Sequence, residues 1–351
     1  MNPIYILEQK AEKGNIEAQL ELASLYREGL KVRRSAEKGE YWTIKAAESG
    51  DLTAIGNQYF YGYGVEQSFE KAVEWYTKAA EQGYARAQCN LGHRYKYGQG
   101  VEQSFEKAVE WYAKAAEQGF APAQNSLGHC YKNGQGVEQS FEKALEWYTK
   151  AAEQGFAPSQ NSLGYCYKHG LGVKKSKEMA LEWYTKAAEQ GYAPAQYNLG
   201  SEQAVEKSYK KAVEWYTKAA EQGYAPAQYS IGNCYKYGLG MEQSYEKALE
   251  WLSKAAEQGE ERALYSIGDC YESGMGVEQS YEKALKYYIR AAAVSGFTKY
   301  GLARKFIEGI AKEDKDLILK EIEYQKRIFD LGVITKEEYD EIKDYLEKCI
   351  G

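Results

Sequence analysis

The chain has 351 residues and a formal charge of −6, with 44% hydrophobic and 27% charged residues. That balance excludes a disordered tail and argues against a dedicated nucleic-acid binder, which normally carries a basic excess. No apolar run approaches the ~20 residues that span a bilayer, and the opening Met1-Asn-Pro-Ile-Tyr-Ile-Leu-Glu8 lacks a cationic stretch followed by a long apolar core; the expected location is cytoplasmic, with no membrane contact.

A repeat governs the whole chain. Trp42 is followed by Trp75, Trp111, Trp147, Trp183, Trp215 and Trp251, mostly 36 residues apart, and Tyr287 stands where the next is due. The text Ser68 to Gly83 is nearly copied at Ser104 to Gly119 and at Ser140 to Gly155. A fixed period of this size means stacked supersecondary units. Each unit touches mainly its neighbours, so the expected fold is all-α, a solenoid with a large surface and no single deep pocket. The 34 tyrosines against nine phenylalanines fit a thin two-layer array, because a tyrosine can pack its ring and keep its hydroxyl wet.

The first departure lies at residues 51–58, which lack the usual Ala-Pro-Ala-Gln opening and about three residues. The unit Ala225 to Gly259 is the clearest copy. Pro226 suits a helix start, and Ala227, Ile231 and Tyr235 recur on one helical face. Gly232 interrupts that face, as do Gly92, Gly128, Gly164, Gly200 and Gly268. A helical glycine costs roughly 1 kcal/mol, so close approach of a partner helix is the expected reason. Gly238 and Gly240 supply the turn, and Ser244 caps a second helix whose buried stripe is read as Ala248, Trp251, Leu252, Ala255 and Ala256. Outward i,i+4 pairs are expected at Glu250–Lys254, Glu74–Lys78, Glu110–Lys114 and Glu146–Lys150.

A second departure falls between Gly200 and Val205, where four residues are missing, the turn glycines and a core tyrosine among them. Four residues are about one helical turn. The expectation is a helix that loses its end, a change of curvature near 197–208, and an array divided into two blocks. The third departure is C-terminal. Phe297 to Gly309 reads as a lone capping helix with Leu302 and Phe306 on its core face. Leu317, Leu319, Ile322, Ile328, Phe329 and Leu331 then mark an amphipathic helix, and Thr335 with Glu338 forms a capping box for a last helix reaching about Cys349. The domains are therefore drawn as 1–310, the solenoid with its caps, and 311–351, a helical hairpin.

The pattern Ala-x-x-x-Leu/Ile-Gly-x-x-Tyr-x-x-Gly-x-Gly-Val, followed by Lys-Ala-x-x-Trp-Tyr-x-Lys-Ala-Ala-Glu-Gln-Gly, resembles the Sel1-like repeat, a relative of the tetratricopeptide repeat. The resemblance covers about eight units, roughly residues 14 to 296. It implies a right-handed α-solenoid whose members are non-catalytic adaptors in signalling, membrane-complex assembly and host contact. A cysteine-rich branch of that family crosslinks each unit internally. Here Cys130, Cys166, Cys234 and Cys270 hold one equivalent position per unit, with Cys89 and Cys349 elsewhere, so free buried thiols are expected. The stretch Ile328-Phe-Asp-Leu-Gly-Val-Ile-Thr-Lys-Glu-Glu-Tyr339, with Tyr345 and Leu346, resembles the short SHOCT hairpin, which implies homo-oligomerisation through 311–351. The alternative is a hairpin that caps the last repeat.

Candidate chemistry follows from the repeat. In helix-pair solenoids the first helix of each unit lines the concave face. Stepping 100° per residue from Ile231 places Tyr229, Asn233 and Lys236 away from the core, flanked by Tyr237. The equivalents are Cys89, His93, Lys96 and Tyr97; Asn125, His129, Lys132 and Asn133; Asn161, Tyr165, Lys168 and His169; then Tyr197 in the shortened unit and Tyr265, Asp269 and Glu272 in the last. This lysine ladder, flanked by amides and aromatic rings, suits an acidic or C-terminal peptide. Solvated filler copied with each duplication is the plainer reading. Ser-x-x-Lys recurs at Ser68, Ser104, Ser140, Ser208, Ser244 and Ser280, but Ser-Asp-Asn and Lys-Thr-Gly partners are lacking, so these serines read as helix N-caps. His93 and His129, one repeat apart, are too distant to share a zinc. The Gly-x-Gly-Val turns lack the Lys-Ser/Thr of a phosphate loop. The expected function is a non-enzymatic scaffold for a protein or peptide, without cofactor or metal. The alternatives are a nucleic-acid-binding solenoid and a host-directed effector or adaptor of a bacterium or phage.

Overall fold

Each repeat becomes two antiparallel helices because its two apolar stripes are each too narrow to be buried alone. In the computed structural model, which describes residues 3–29, 32–295, 315–330 and 335–350, α1 (Pro3–Glu12) precedes eight helix pairs. These are α2 (Ile16–Glu28) and α3 (Ala36–Glu48), α4 (Leu52–Tyr61) and α5 (Phe69–Glu81), α6 (Ala85–Tyr97) and α7 (Phe105–Glu117), and α8 (Ala121–Asn133) and α9 (Phe141–Glu153). They continue with α10 (Ala157–His169) and α11 (Lys177–Glu189), α12 (Ala193–Val205) and α13 (Tyr209–Glu221), α14 (Ala225–Tyr237) and α15 (Tyr245–Glu257), and α16 (Glu261–Ser273) and α17 (Tyr281–Ser295). A hairpin of α18 (Lys315–Asp330) and α19 (Lys336–Ile350) follows. Among the described residues the fold is an α-solenoid without strands, and none of its helices is long and apolar enough to cross a membrane.

The same signals set the ends of each helix. Ser104 Oγ accepts the Lys107 backbone N–H at 3.2 Å, and Ser68, Ser140, Ser244 and Ser280 do the same for their own helices. The Ser-x-x-Lys serines are thus caps, with Ser208 the exception: its side chain makes no cap hydrogen bond. At the other end Gly134 closes α8 with φ +66, the left-handed conformation that glycine adopts without strain. The second turn glycine has a separate reason: a Cβ on Gly136 would lie 2.3 Å from the backbone of Phe105, at the start of the preceding repeat's second helix. That close approach sets the spacing between neighbouring repeats.

The core is a row of small clusters, and it corrects the expected buried stripe. In most repeats the deepest aromatic residue is the tyrosine after the tryptophan; Thr43 and Leu252 hold that place after Trp42 and Trp251, and Trp42 is itself buried. Tyr76, Tyr112, Tyr148 and Tyr184 are at most 2% exposed, whereas Trp75, Trp111, Trp147 and Trp183 are half-buried. Each tyrosine ring lies on a helical glycine of the paired helix; a Cβ on Gly128 would sit 2.6 Å from the Tyr148 ring. From Trp111 to Trp183 each tryptophan instead packs on the repeat before it, Trp111 against the cluster of Ala72, Tyr76 and Leu91, Trp147 against that of Ala108, Tyr112 and Leu127, and Trp183 against that of Ala144, Tyr148 and Leu163. Its outer face is covered by a lysine ammonium 4.0–4.5 Å from the ring, in all six repeats from Lys78 to Lys254. Of the expected i,i+4 ion pairs Lys254–Glu250 forms, at 2.7 Å, as does Lys186–Glu182 at 2.6 Å, while Lys78, Lys114 and Lys150 turn to their tryptophans instead.

A glutamine ladder adds the polar half of the stacking. Buried Gln88 donates to the Ala80 carbonyl at 3.1 Å and accepts from Gln118 Nε2 at 2.7 Å. Gln124 with Gln154, and Gln160 with Gln190, repeat the arrangement. These bonds occupy side chains that would otherwise be buried without partners. Cys130, Cys166, Cys234 and Cys270 are free, buried thiols, as expected, and Cys89 is free and buried too.

The chain forms two compact units, Met1–Glu202 and Gln203–Gly351. The division falls at the shortened repeat, where two blocks were expected. The expected loss of helix is not found: α12 keeps all 13 residues. What shortens is the connection, which turns through Lys207 at φ +59, the one non-glycine residue with positive φ among those described. In the second unit, Ile318, Ile342 and Leu346 of the hairpin join Ala284, Leu285, Tyr288 and Ile289 of α17 in one cluster. The hairpin therefore caps the last repeat. The expected helix from Phe297 to Gly309 and the turn 332–334 lie outside the described residues.

Candidate binding groove

In the first unit the first helices of successive repeats lie side by side, as expected, and residues of several of them border one cavity. A cavity of about 400 Å³ is lined from α2, α4, α6 and α8, with Arg27, Phe60, His93, Arg94, Phe120 and Phe156 among its walls.

Of the sequence-derived candidates, those in the first unit are brought to this side of the helices but are already engaged with one another. His93 and His129 are tied from behind by buried tyrosines, with Nδ1 to hydroxyl distances of 2.8 Å to Tyr112 and 3.0 Å to Tyr148. Burial, reinforced by nearby arginine and lysine charge, pulls both imidazoles down to about 4, so both are neutral at pH 7. Asn57 holds the equivalent place and accepts from the Tyr76 hydroxyl at 2.7 Å. Asn125 accepts from Ser159 at 2.9 Å, and Asn161 from Asn198 at 2.8 Å. Lys132 lies 4.6 Å from the Tyr165 ring centre in the next repeat, and Lys168 pairs with Glu202 at 2.7 Å. Lys96 sits over its own neighbour Tyr97 at 5.5 Å, and Tyr97, 59% exposed, is the most open ring of the set. Tyr165 is exposed with His169 against it, Asn133 is exposed, and Tyr197 is half-buried.

Two placements are corrected. Cys89 was expected on the open face but is 2% exposed, its Sγ 3.7 Å from His93 Nε2. In the second unit Lys236 was expected on the open ladder but is 1% exposed and pairs with Asp269 of the next repeat. A step of 100° per residue ignores the neighbouring repeat, whose carboxylate reaches over and buries the ammonium. Its neighbours in that unit are Tyr237, 58% exposed, half-buried Asn233, Tyr229 beneath Arg262 at 4.6 Å, and Tyr265 packed on Tyr288 at 5.4 Å. Glu272 accepts the Tyr288 hydroxyl at 2.5 Å and so faces inward too.

Sequence reasoning missed the cavity's arginines. Arg27 stands at the ladder position of Lys96, Arg94 at that of Cys130 and Cys166, and Arg86 at that of Pro122 and Pro158. Their signal was the departure from the repeat.

The sequence profile of the Sel1 repeat matches residues 16–51, 53–84, 85–120, 121–156, 157–192, 193–224, 225–260 and 261–293. Among solved structures, a protective antigen of uropathogenic Escherichia coli with an SLR fold is similar: 34% identity over 94% of this chain and 72% of that one, with a TM-score of 0.59. A Sel1 repeat protein from Oxalobacter formigenes is 34% identical over 69% of this chain and 96% of its own, with a TM-score of 0.60. No match to a curated protein was found.

Proposed function

Because the chain belongs to the Sel1 repeat family, whose proteins are generally non-catalytic scaffolds for other proteins, we propose that it captures a peptide or protein segment in the groove of its first unit. What supports this reading is that side chains of successive first helices meet along one face, Lys132 on Tyr165, Asn125 on Ser159 and Asn161 on Asn198. Aromatic rings and amides from successive repeats can follow an extended chain at repeat spacing, which is how a solenoid turns periodicity into contact area. The proposed contacts are Lys96, Tyr97, Lys132, Asn125, Asn161 and Tyr165, whose side chains are at least partly open. Location in the cytoplasm accords with five buried free thiols, and self-association through 311–351 belongs to the same proposal.

The test is capture from native lysate with the wild-type chain, followed by affinity measurement on the purified partner. Lys96→Glu with Lys132→Glu is the discriminating variant. Lys168 is left alone, because a glutamate there would face Glu202. A loss of roughly tenfold or more is expected, the scale on which rim and groove charges act; unchanged affinity sinks the proposed contact set.

A further inference from the structure

Three arginines face the cavity of the first unit, and each carries a buried nitrogen without an acceptor in the protein: Arg27 Nη1, Arg86 Nε and Arg94 Nη1. Buried polar atoms are nearly always satisfied, so three together on one wall call for an explanation. Arg94 is 9% exposed and lies over Phe60, its guanidinium carbon 3.7 Å from the ring centre. Arg27 lies on Tyr61 at 4.7 Å and Arg86 beside Phe120 at 5.5 Å. An aromatic ring can hold a guanidinium by its face, and the donors left over here are Arg27 Nη1, Arg86 Nε and Arg94 Nη1, since Arg94 Nε donates to the Asn90 carbonyl and Arg86 Nη2 to Glu17.

Neither of the carboxylates nearest these arginines pairs with Arg27 or Arg94. Glu17, largely exposed, takes Arg86 Nη2 at 2.9 Å, and Glu28 on the cavity wall accepts from Ser24 at 2.7 Å. His93, also on the wall, adds no charge at neutral pH. Burying a guanidinium is expensive unless an anion meets it.

We propose that this cavity is an oxyanion site, in which Arg27, Arg86 and Arg94 bind one carboxylate or phosphoryl group through their unmatched N–H donors. The planar fork of arginine suits both groups, and Phe60, Phe120 and Phe156 supply an apolar lining for whatever bears the charge. The site stands apart from peptide capture, since it is defined by an anion alone.

Two probes separate the sources. Inorganic phosphate stands for a free oxyanion, and N-acetyl-phenylalanine, with its amide as control, for a chain-terminal carboxylate next to an aromatic ring. Saturable binding to the wild-type protein is expected by calorimetry, with a shift of the Arg86 Nε–H resonance. Arg27→Gln and Arg94→Gln should each weaken it by roughly tenfold or more, as expected when a charge-assisted pair is lost. Arg262→Gln, in the second unit, should leave it unchanged. Arg94 is packed on Phe60, so circular dichroism checks its variant; Arg27→Gln, at a half-buried position, keeps the test valid if Arg94→Gln misfolds. Binding of the acid but not its amide assigns a carboxylate source, and binding of phosphate alone a free oxyanion. If neither probe saturates, or if Arg27→Gln binds as the wild type does, the site is refuted. No partner protein is present, so that failure would leave groove capture standing.

Discussion

A single residue position decides how tightly each repeat closes. The tyrosine after the tryptophan is buried to the last few per cent, its ring on a glycine and its hydroxyl on a histidine or asparagine. Tyr148→Ala should therefore cost about 3–5 kcal/mol, the scale of a large aromatic deleted from a packed core. Trp147→Ala should cost clearly less, because Trp147 is half-buried under Lys150. Urea unfolding of the two variants orders them; a larger loss at Trp147 would contradict the burial described. The histidines give a pH signature. Each has its folded value depressed from an ordinary 6.5 to about 4, so the unfolded chain binds more protons between those limits. The stability that depends on their neutral form is complete above 6.5 and is lost as pH falls towards 4, by at most about 1.4 kcal/mol per pH unit per histidine. His93→Asn with His129→Asn should flatten that slope in unfolding measured from pH 7 to 4. Asn57 already performs the same pairing with Tyr76, so the double variant should fold.

At the scale of elements, the C-terminal hairpin uses its apolar face on its own chain. Ile318, Ile342 and Leu346 cover Leu285, Tyr288 and Ile289 of α17. A chain ending at Gly309 would expose that face again, at about 1.5–3 kcal/mol for each large apolar side chain returned to water. A lower melting temperature is expected by calorimetry, and an unchanged one would mean that the hairpin is not a stabilising cap. Light scattering on both chains reads self-association independently.

For the molecule as a whole, charge separates the classes of partner. The net charge is −6, and three of the ladder lysines, Lys132, Lys168 and Lys236, are turned to Tyr165, Glu202 and Asp269 of neighbouring repeats and away from any phosphate. Single-stranded RNA should bind weakly in filter assays even at low salt. Tight binding with a steep salt slope would favour the nucleic-acid reading instead.

The repeat, the helix pairs, their serine caps, the reason for the helical glycines and the point of division at the shortened unit were all legible in the residues. They rest on local periodicity and on spacing along one chain segment. Tertiary structure alone decided that tyrosine and not tryptophan lies deepest in the repeats of Tyr76, Tyr112, Tyr148 and Tyr184, that Lys236 is buried by Asp269, that α12 keeps its length, and that Arg27, Arg86 and Arg94 border one cavity. Each of these depends on what the adjacent repeat places against a side chain. The 3.6-residue period says which way a residue points from its own helix, and only packing says what stands there to meet it.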